Sequence, residues 1–177
     1  QKFDGKTRLW DVWGHYHSLL GLYLAYQETG NMLALDVCRK AADLLCRTFL
    51  DTGTRVYDSM PHPNYSPFET NFAVGHVLCL LYRETGEPRY LRLALEIVQD
   101  WERPPAGDYL RTALAGLEFY QTPQPRWESL YSIQTLPELY LITGDERYRL
   151  AFEHIWASVA NYDRHNTGGF GSLESAR

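Results

Sequence analysis

The sequence predicts an all-α chain built from stacked helical hairpins, and three observations carry that reading. Apolar residues recur at the three- and four-residue spacing of a helix face. No segment alternates apolar and polar positions like a strand for more than a few residues. A short pattern also returns three times: Tyr26-Gln27-Glu28-Thr29-Gly30-Asn31, Tyr82-Arg83-Glu84-Thr85-Gly86-Glu87 and Tyr140-Leu141-Ile142-Thr143-Gly144-Asp145.

Each copy reads as helix, tight turn, helix. Leu19, Leu20, Leu22, Tyr23 and Tyr26 form the first apolar face; Val74, Val77, Leu78, Leu81 and Tyr82 the second; Leu130, Ile133, Leu136, Leu139 and Tyr140 the third. These faces predict first helices over about residues 12–28, 67–84 and 127–142. The glycine after each run is the left-handed residue that stops a helix. Asn31, Glu87 or Asp145 then meets the unpaired N–H groups of the next helix. Pro88 suits a first helical turn, where its missing N–H costs nothing.

The second helices carry Leu35, Cys38, Ala42, Leu45 and Phe49; then Leu91, Ala94, Leu95, Val98 and Trp101; then Phe152, Ile155, Trp156 and Val159. A further helical pattern, Tyr109 to Phe119, lies between Pro104-Pro105 and the loop Thr122-Pro123-Gln124-Pro125. The glycines are 56 and 58 residues apart. That period exceeds the ~34 of tetratricopeptide repeats and the ~40–47 of HEAT or armadillo repeats. It suits the double-layered (α/α)6 toroid, whose inner helices line a funnel and whose outer helices cover them. Three hairpins are half of such a ring. The expectation is therefore a single all-α domain over 1–177, a partial barrel cut from a larger toroid, with repeat edges open to self-association.

Composition narrows the function. The chain has 45% hydrophobic and 22% charged residues, as a folded globular protein does. A net charge of −5 without a Lys/Arg cluster argues against nucleic acid as a partner. No apolar run approaches the ~18–20 residues of a membrane span. Cys38, Cys46 and Cys79 make no disulfide framework, since Cys38 and Cys46 share a helix face about 12 Å apart. All three read as buried thiols. Five Trp and thirteen Tyr are a surplus that suits ring-shaped ligands as well as a core.

The surplus gathers where each first helix begins: Trp10-Asp11-Val12-Trp13-Gly14-His15-Tyr16-His17, Pro61 to Asn71 with His62 and Glu69, and Arg126-Trp127-Glu128-Ser129-Leu130-Tyr131. Flat apolar faces beside polar groups are what a carbohydrate site needs. Trp13, His15, His17, His62, Glu69, Trp127 and Glu128 are the candidate substrate-binding residues. Trp13, His17, Glu69 and Trp127 are expected to converge on one concave end. His15 and His17 face different sides of a helix, so they are no helical metal pair. No metal site is expected on this segment. His76, inside an apolar stripe, reads as a core residue, and His154 as a packed or exposed one. After the third hairpin, Thr167-Gly168-Gly169-Phe170-Gly171-Ser172-Leu173-Glu174 offers a backbone able to turn sharply beside a ligand, with a carboxylate on a loop.

The hairpin signature Leu-Tyr-x-x-Thr-Gly-Asp-x-Arg-Tyr followed by Thr-Gly-Gly-Phe-Gly-Ser-x-Glu resembles the catalytic domain of glycoside hydrolase family 127, which includes β-L-arabinofuranosidases. The resemblance implies the middle of a toroid and a retaining glycosidase acting on plant or microbial polysaccharide. It implies Glu174 as acid/base and a nucleophilic zinc-bound cysteine in sequence beyond this segment. It brings His17, and more loosely His15, to the funnel mouth. On this reading the segment itself carries no cofactor, binds sugar weakly and hydrolyses nothing alone. Two other classes suit the same scaffold. One is a sugar epimerase or unsaturated-uronide hydrolase using Asp11, His15, His17 and His62. The other is a non-catalytic carbohydrate-binding or scaffold domain.

Overall fold

Every inner helix ends on the same turn, and that turn sets the architecture. The computed structural model describes residues 11–59 and 68–170. Gly30, Gly86 and Gly144 adopt φ of 68°, 71° and 71°. Each glycine N–H donates to the carbonyl of Tyr26, Tyr82 or Tyr140 at 2.8 Å. The threonines have a physical role that periodicity does not reveal. Thr29, Thr85 and Thr143 donate their hydroxyls back to Ala25, Leu81 and Leu139 O at 2.6, 2.6 and 2.7 Å. The threonine hydroxyl oxygens in turn accept from the N–H of Asn31, Glu87 and Asp145. Those three side chains then accept from Leu33, Arg89 and Arg147 N and start the outer helices.

Helix α1 spans Asp11–Thr29 and pairs with α2, Met32–Phe49. The second inner helix is two pieces, α3 (Phe68–Phe72) and α4 (Val74–Thr85), followed by the outer α5 (Pro88–Asp100). After α6 (Tyr109–Leu114), the third inner helix is again two pieces, α7 (Ser129–Ile133) and α8 (Thr135–Thr143). Its outer partner is α9, Glu146–Ser158, continued by a π-helical turn over Val159–Asp163. Among the described residues no β-strand forms; an isolated antiparallel bridge joins Arg164 and Phe170. This is the expected all-α arrangement of three hairpins of an α/α toroid, with α1, α4 and α8 side by side within and α2 and α5 adjacent outside.

Three details depart from the sequence expectation. The second and third inner helices are not continuous. Pro137 has no N–H for the carbonyl of Ile133 and crowds it, which breaks the helix at Gln134. The matching break at Ala73 brings Gly75 against Thr135, where an added Cβ would sit 3.0 Å from the Thr135 hydroxyl. The helix predicted from Tyr109 to Phe119 stops at Leu114, because Gly116 takes φ +79° and returns its N–H to Ala113 O. Trp156 is 65% exposed and does not face the core, because Ile155 occupies the buried position and the next residue is turned ~100° away.

The core is deepest along α4, where Val74, Val77, Leu78, Cys79 and Leu81 are all fully buried. Such side chains contribute roughly 1.5–3 kcal/mol each on burial. Cys38, Cys46 and Cys79 are free and buried, as expected of them. No helix among the described residues is long and apolar enough to cross a membrane.

The turn chemistry makes a paired prediction. Gly86→Ala should lose about 1–2 kcal/mol, because φ +71° strains any residue with a Cβ although nothing stands within 4 Å. Gly21→Ala, in exposed mid-helix with equal space, should gain about 0.5–1 kcal/mol. Chemical denaturation of both variants measures the contrast.

Candidate functional site

Counting back from the turn glycine locates the site. Seventeen residues before Gly30, Gly86 and Gly144 stand Trp13, Glu69 and Trp127. Thirteen before the first and third stand His17 and Tyr131. Equal inner-helix lengths therefore bring these groups to the end of the bundle opposite the turns.

Trp13 and His17 lie one helical turn apart and meet edge to face at 4.4 Å between ring centres. Trp13 also meets Tyr131 at 5.1 Å, and His17 meets it at 5.7 Å. Trp127, one turn before Tyr131, approaches it at 5.9 Å, and Tyr16 approaches it at 5.9 Å from the other side. Tyr131 is thus the hub of an aromatic cluster that joins the first and third hairpins. The backbone supports it: the Trp13 N–H donates to Asn71 Oδ1 at 3.0 Å, so a fully buried Asn from α3 takes one of the unpaired donors at the start of α1. Asn71 in turn donates to Ser59 O and Oγ.

Beside the cluster lies an open cleft of about 590 Å³. Tyr16 and His76 form one side; Trp127, Leu130, Tyr131 and Gln134 form the other. Phe170 closes it from the loop after α9. The glycine-rich loop makes that placement possible. Gly168 has φ +88°, His165 N–H donates to Gly169 O, and the bridge from Arg164 to Phe170 folds the chain back. Phe170 then packs on Phe119 at 6.1 Å.

The two glutamates sit behind this wall. Glu69 is 0% exposed and Glu128 3%, and both face Arg126. Arg126 grips Glu128 with two nitrogens, at 3.2 and 3.0 Å. Its Nε lies 3.3 Å from Glu69 Oε1, close enough for charge attraction but not aligned as a hydrogen bond. Burial pushes the Glu69 carboxyl up to about 8; Arg126 opposes the shift and Glu128 adds to it. The middle hairpin is flanked on both sides, so its position seventeen before the turn is enclosed. In the outer hairpins the same position is less enclosed: Trp13 is half-buried and Trp127 is 37% exposed.

The structure thus brings Trp13, His17 and Trp127 together and seats Glu69 and Glu128 behind them. His15 stands on another face of α1, and His62 and Glu174 lie outside the described residues. Sequence reading missed His76, which lines the cleft, and did not single out Tyr16, Tyr131, Gln134 or Phe170. The spacing from the turn was the available signal, since His76 and Gln134 both stand ten residues before their glycine. His154 is packed, with its Nε2 at 2.9 Å from Leu117 O.

The resemblance places its zinc in sequence beyond this segment, and the described residues offer no ligand set for one. No group of three or more His, Cys, Asp or Glu side chains among them could hold a metal ion. Burial pushes the Cys46 thiol up to about 11 and raises those of Cys38 and Cys79 too, which opposes the thiolate a nucleophile or zinc ligand needs.

Glu69 makes a pH prediction. Its folded value lies above the ordinary value of 4.5, so its contribution to stability is complete below about pH 4.5 and is lost as pH rises through about 8. Glu69→Gln removes that dependence while Glu128 still holds Arg126. The variant should gain on the wild type by on the order of 4 kcal/mol between pH 5 and pH 8.5. Thermal melts across that range provide the check; parallel curves would mean that Glu69 is ionised throughout.

The family model of the β-L-arabinofuranosidase GH127 catalytic domain matches residues 1–177. A non-reducing end β-L-arabinofuranosidase of Bifidobacterium longum subsp. longum is 34% identical over 87 residues, which is 49% of this chain and 12% of that protein. The solved structure of the GH127 β-arabinofuranosidase BT3674 superposes with a TM-score of 0.64 over 92% of this chain and 24% of that one, at 23% identity. The matches cover between about an eighth and a quarter of these relatives' own length, and the solved structure has the hairpin fold in common with this chain. A family match over its whole length places the chain in the GH127 β-L-arabinofuranosidase catalytic-domain family.

Proposed function

We propose that this chain forms one wall of the substrate site of a β-L-arabinofuranosidase-like glycoside hydrolase, and that the wall holds a terminal arabinofuranose. The observation that carries the reading is the aromatic cleft at the start of the inner helices, in a chain of this family. A furanose offers C–H surface to flat rings and hydroxyls to polar groups at their margins. Trp127 and Tyr131 supply the rings; His76 and Gln134 supply polar atoms in the same cleft. The activity named for the Bifidobacterium relative supports the choice of sugar.

Glu174 is the proposed acid/base. Phe170 stands in the cleft wall, and Glu174 follows it four residues later in the sequence, at the position where the family motif carries its acid/base. It would protonate the departing oxygen and then activate water in a retaining cycle. The buried Cys38, Cys46 and Cys79 are not the nucleophile. Glu69 and Glu128 serve the site through Arg126, which they fix at the start of the third inner helix.

The experiment is a comparison of leaving groups in the intact protein. Glu174→Gln should lower kcat/KM for an alkyl β-L-arabinofuranoside by ~10²–10⁴-fold, and kcat/KM for a nitrophenyl β-L-arabinofuranoside far less, because in the bond-breaking first step only the poor leaving group needs a proton. Trp127→Ala should raise KM about 10-fold with little change in kcat. Equal losses on both arabinosides would remove Glu174 from the role. Turnover of an unsaturated uronide and no turnover of either arabinoside would overturn the assignment.

A further inference from the structure

We infer that His76 is a sugar-binding donor in the cleft, its Nε2–H directed to an oxygen of the bound sugar, with Tyr16 as the positioning residue that fixes this tautomer. The inference rests on the sugar-binding reading of the cleft and identifies the group that recognises the ligand's oxygen.

The argument begins with Tyr16, which is 1% exposed. Its hydroxyl lies 3.3 Å from His76 Nδ1, its one hydrogen-bond partner among the described residues. Were Nδ1 protonated, it would donate to the tyrosine oxygen and leave the buried phenolic proton without an acceptor. The arrangement that satisfies both groups has Tyr16 donating to a bare Nδ1. Burial favours the neutral imidazole, and the Glu138 carboxylate pulls weakly the other way. Burial, with Tyr131 nearby, also pushes the Tyr16 phenol up to about 12, so it keeps its proton. A neutral ring with a bare Nδ1 carries its proton on Nε2.

That second nitrogen has no partner among the described residues, and it is not one of the polar atoms sealed in the core. The opening bordered by the ring is the cleft. Gln134 borders the same cleft one repeat later, ten residues before Gly144 as His76 is ten before Gly86. The two form a polar rail along a wall that is otherwise aromatic and aliphatic. An apolar ligand would leave this rail unpaired, whereas a hydroxylated ring would satisfy it.

The test is ¹⁵N NMR of the histidine-labelled intact protein with methyl β-L-arabinofuranoside as the probe. The expected result is a neutral His76 protonated on Nε2, with that nitrogen shifting when the probe is added. His76→Phe should weaken probe binding about 10-fold, and His76→Gln, which retains a donor, should restore most of it. Tyr16→Phe should leave the His76 nitrogens in mixed tautomers and weaken the probe about 3-fold. A His76 protonated on Nδ1 overturns the inference, as does unchanged affinity in His76→Phe; in either case a wild type that binds the probe leaves the sugar-binding reading standing. A wild type that does not bind the probe overturns that reading and the inference together. The tautomer and its response are read on the wild type, so a misfolded variant does not protect the proposal.

Discussion

The distance from a left-handed glycine back to the start of its helix is the constraint on which the rest depends. Gly30, Gly86 and Gly144 end their helices with the same hydrogen bond to a tyrosine carbonyl, under the same threonine bridge. Because the turn fixes one end of each inner helix, helix length fixes the other. Trp13 and Trp127 come into line, seventeen residues from their glycines, and their neighbours one turn on, His17 and Tyr131, close the ring contacts. Polar contacts between hairpins keep the register: Tyr26 and Gln27 both donate hydrogen bonds to the Glu84 carboxylate, and Arg83 forms an ion pair with Glu138 at 2.7 Å. Each exposed pair is individually weak, but together they oppose sliding of one hairpin along the next.

Enclosure decides what each equivalent position can do. The middle hairpin is packed on both sides, so the residue matching the two tryptophans is a buried carboxyl that raises its pKa and faces an arginine. In the outer hairpins the position is less enclosed: Trp127 lines the cleft, and Trp13 packs half-buried in the aromatic cluster beside it. Repetition supplies the geometry, and differential burial separates supporting residues from contacting ones.

Much of this was legible because turn chemistry and helical period are local. Three Thr-Gly pairs, three amphipathic faces and the aromatic clusters at the helix starts gave the hairpins, and the proximity of Trp13, His17 and Trp127 was expected from them. The helix breaks at Ala73 and Gln134 were less visible. One follows from Pro137 three residues later, but the other depends on how closely Gly75 meets Thr135. His76 was hidden by the apolar residues around it. One face of α4 is core, and the face that carries His76 opens only because Tyr16 and Gln134 flank a gap there. The enclosure of Glu69 by its neighbours is likewise a property of the assembled hairpins.

The central claim is that the hairpin register builds one sugar-binding wall. The most direct measurement is a crystal structure of the intact protein with L-arabinose bound. The account predicts the sugar in the cleft between Tyr16, Trp127, Tyr131 and Phe170, with one of its oxygens at hydrogen-bond distance from His76 Nε2. Sugar bound at the turn end of the hairpins, or elsewhere with the cleft filled only by water, would contradict it.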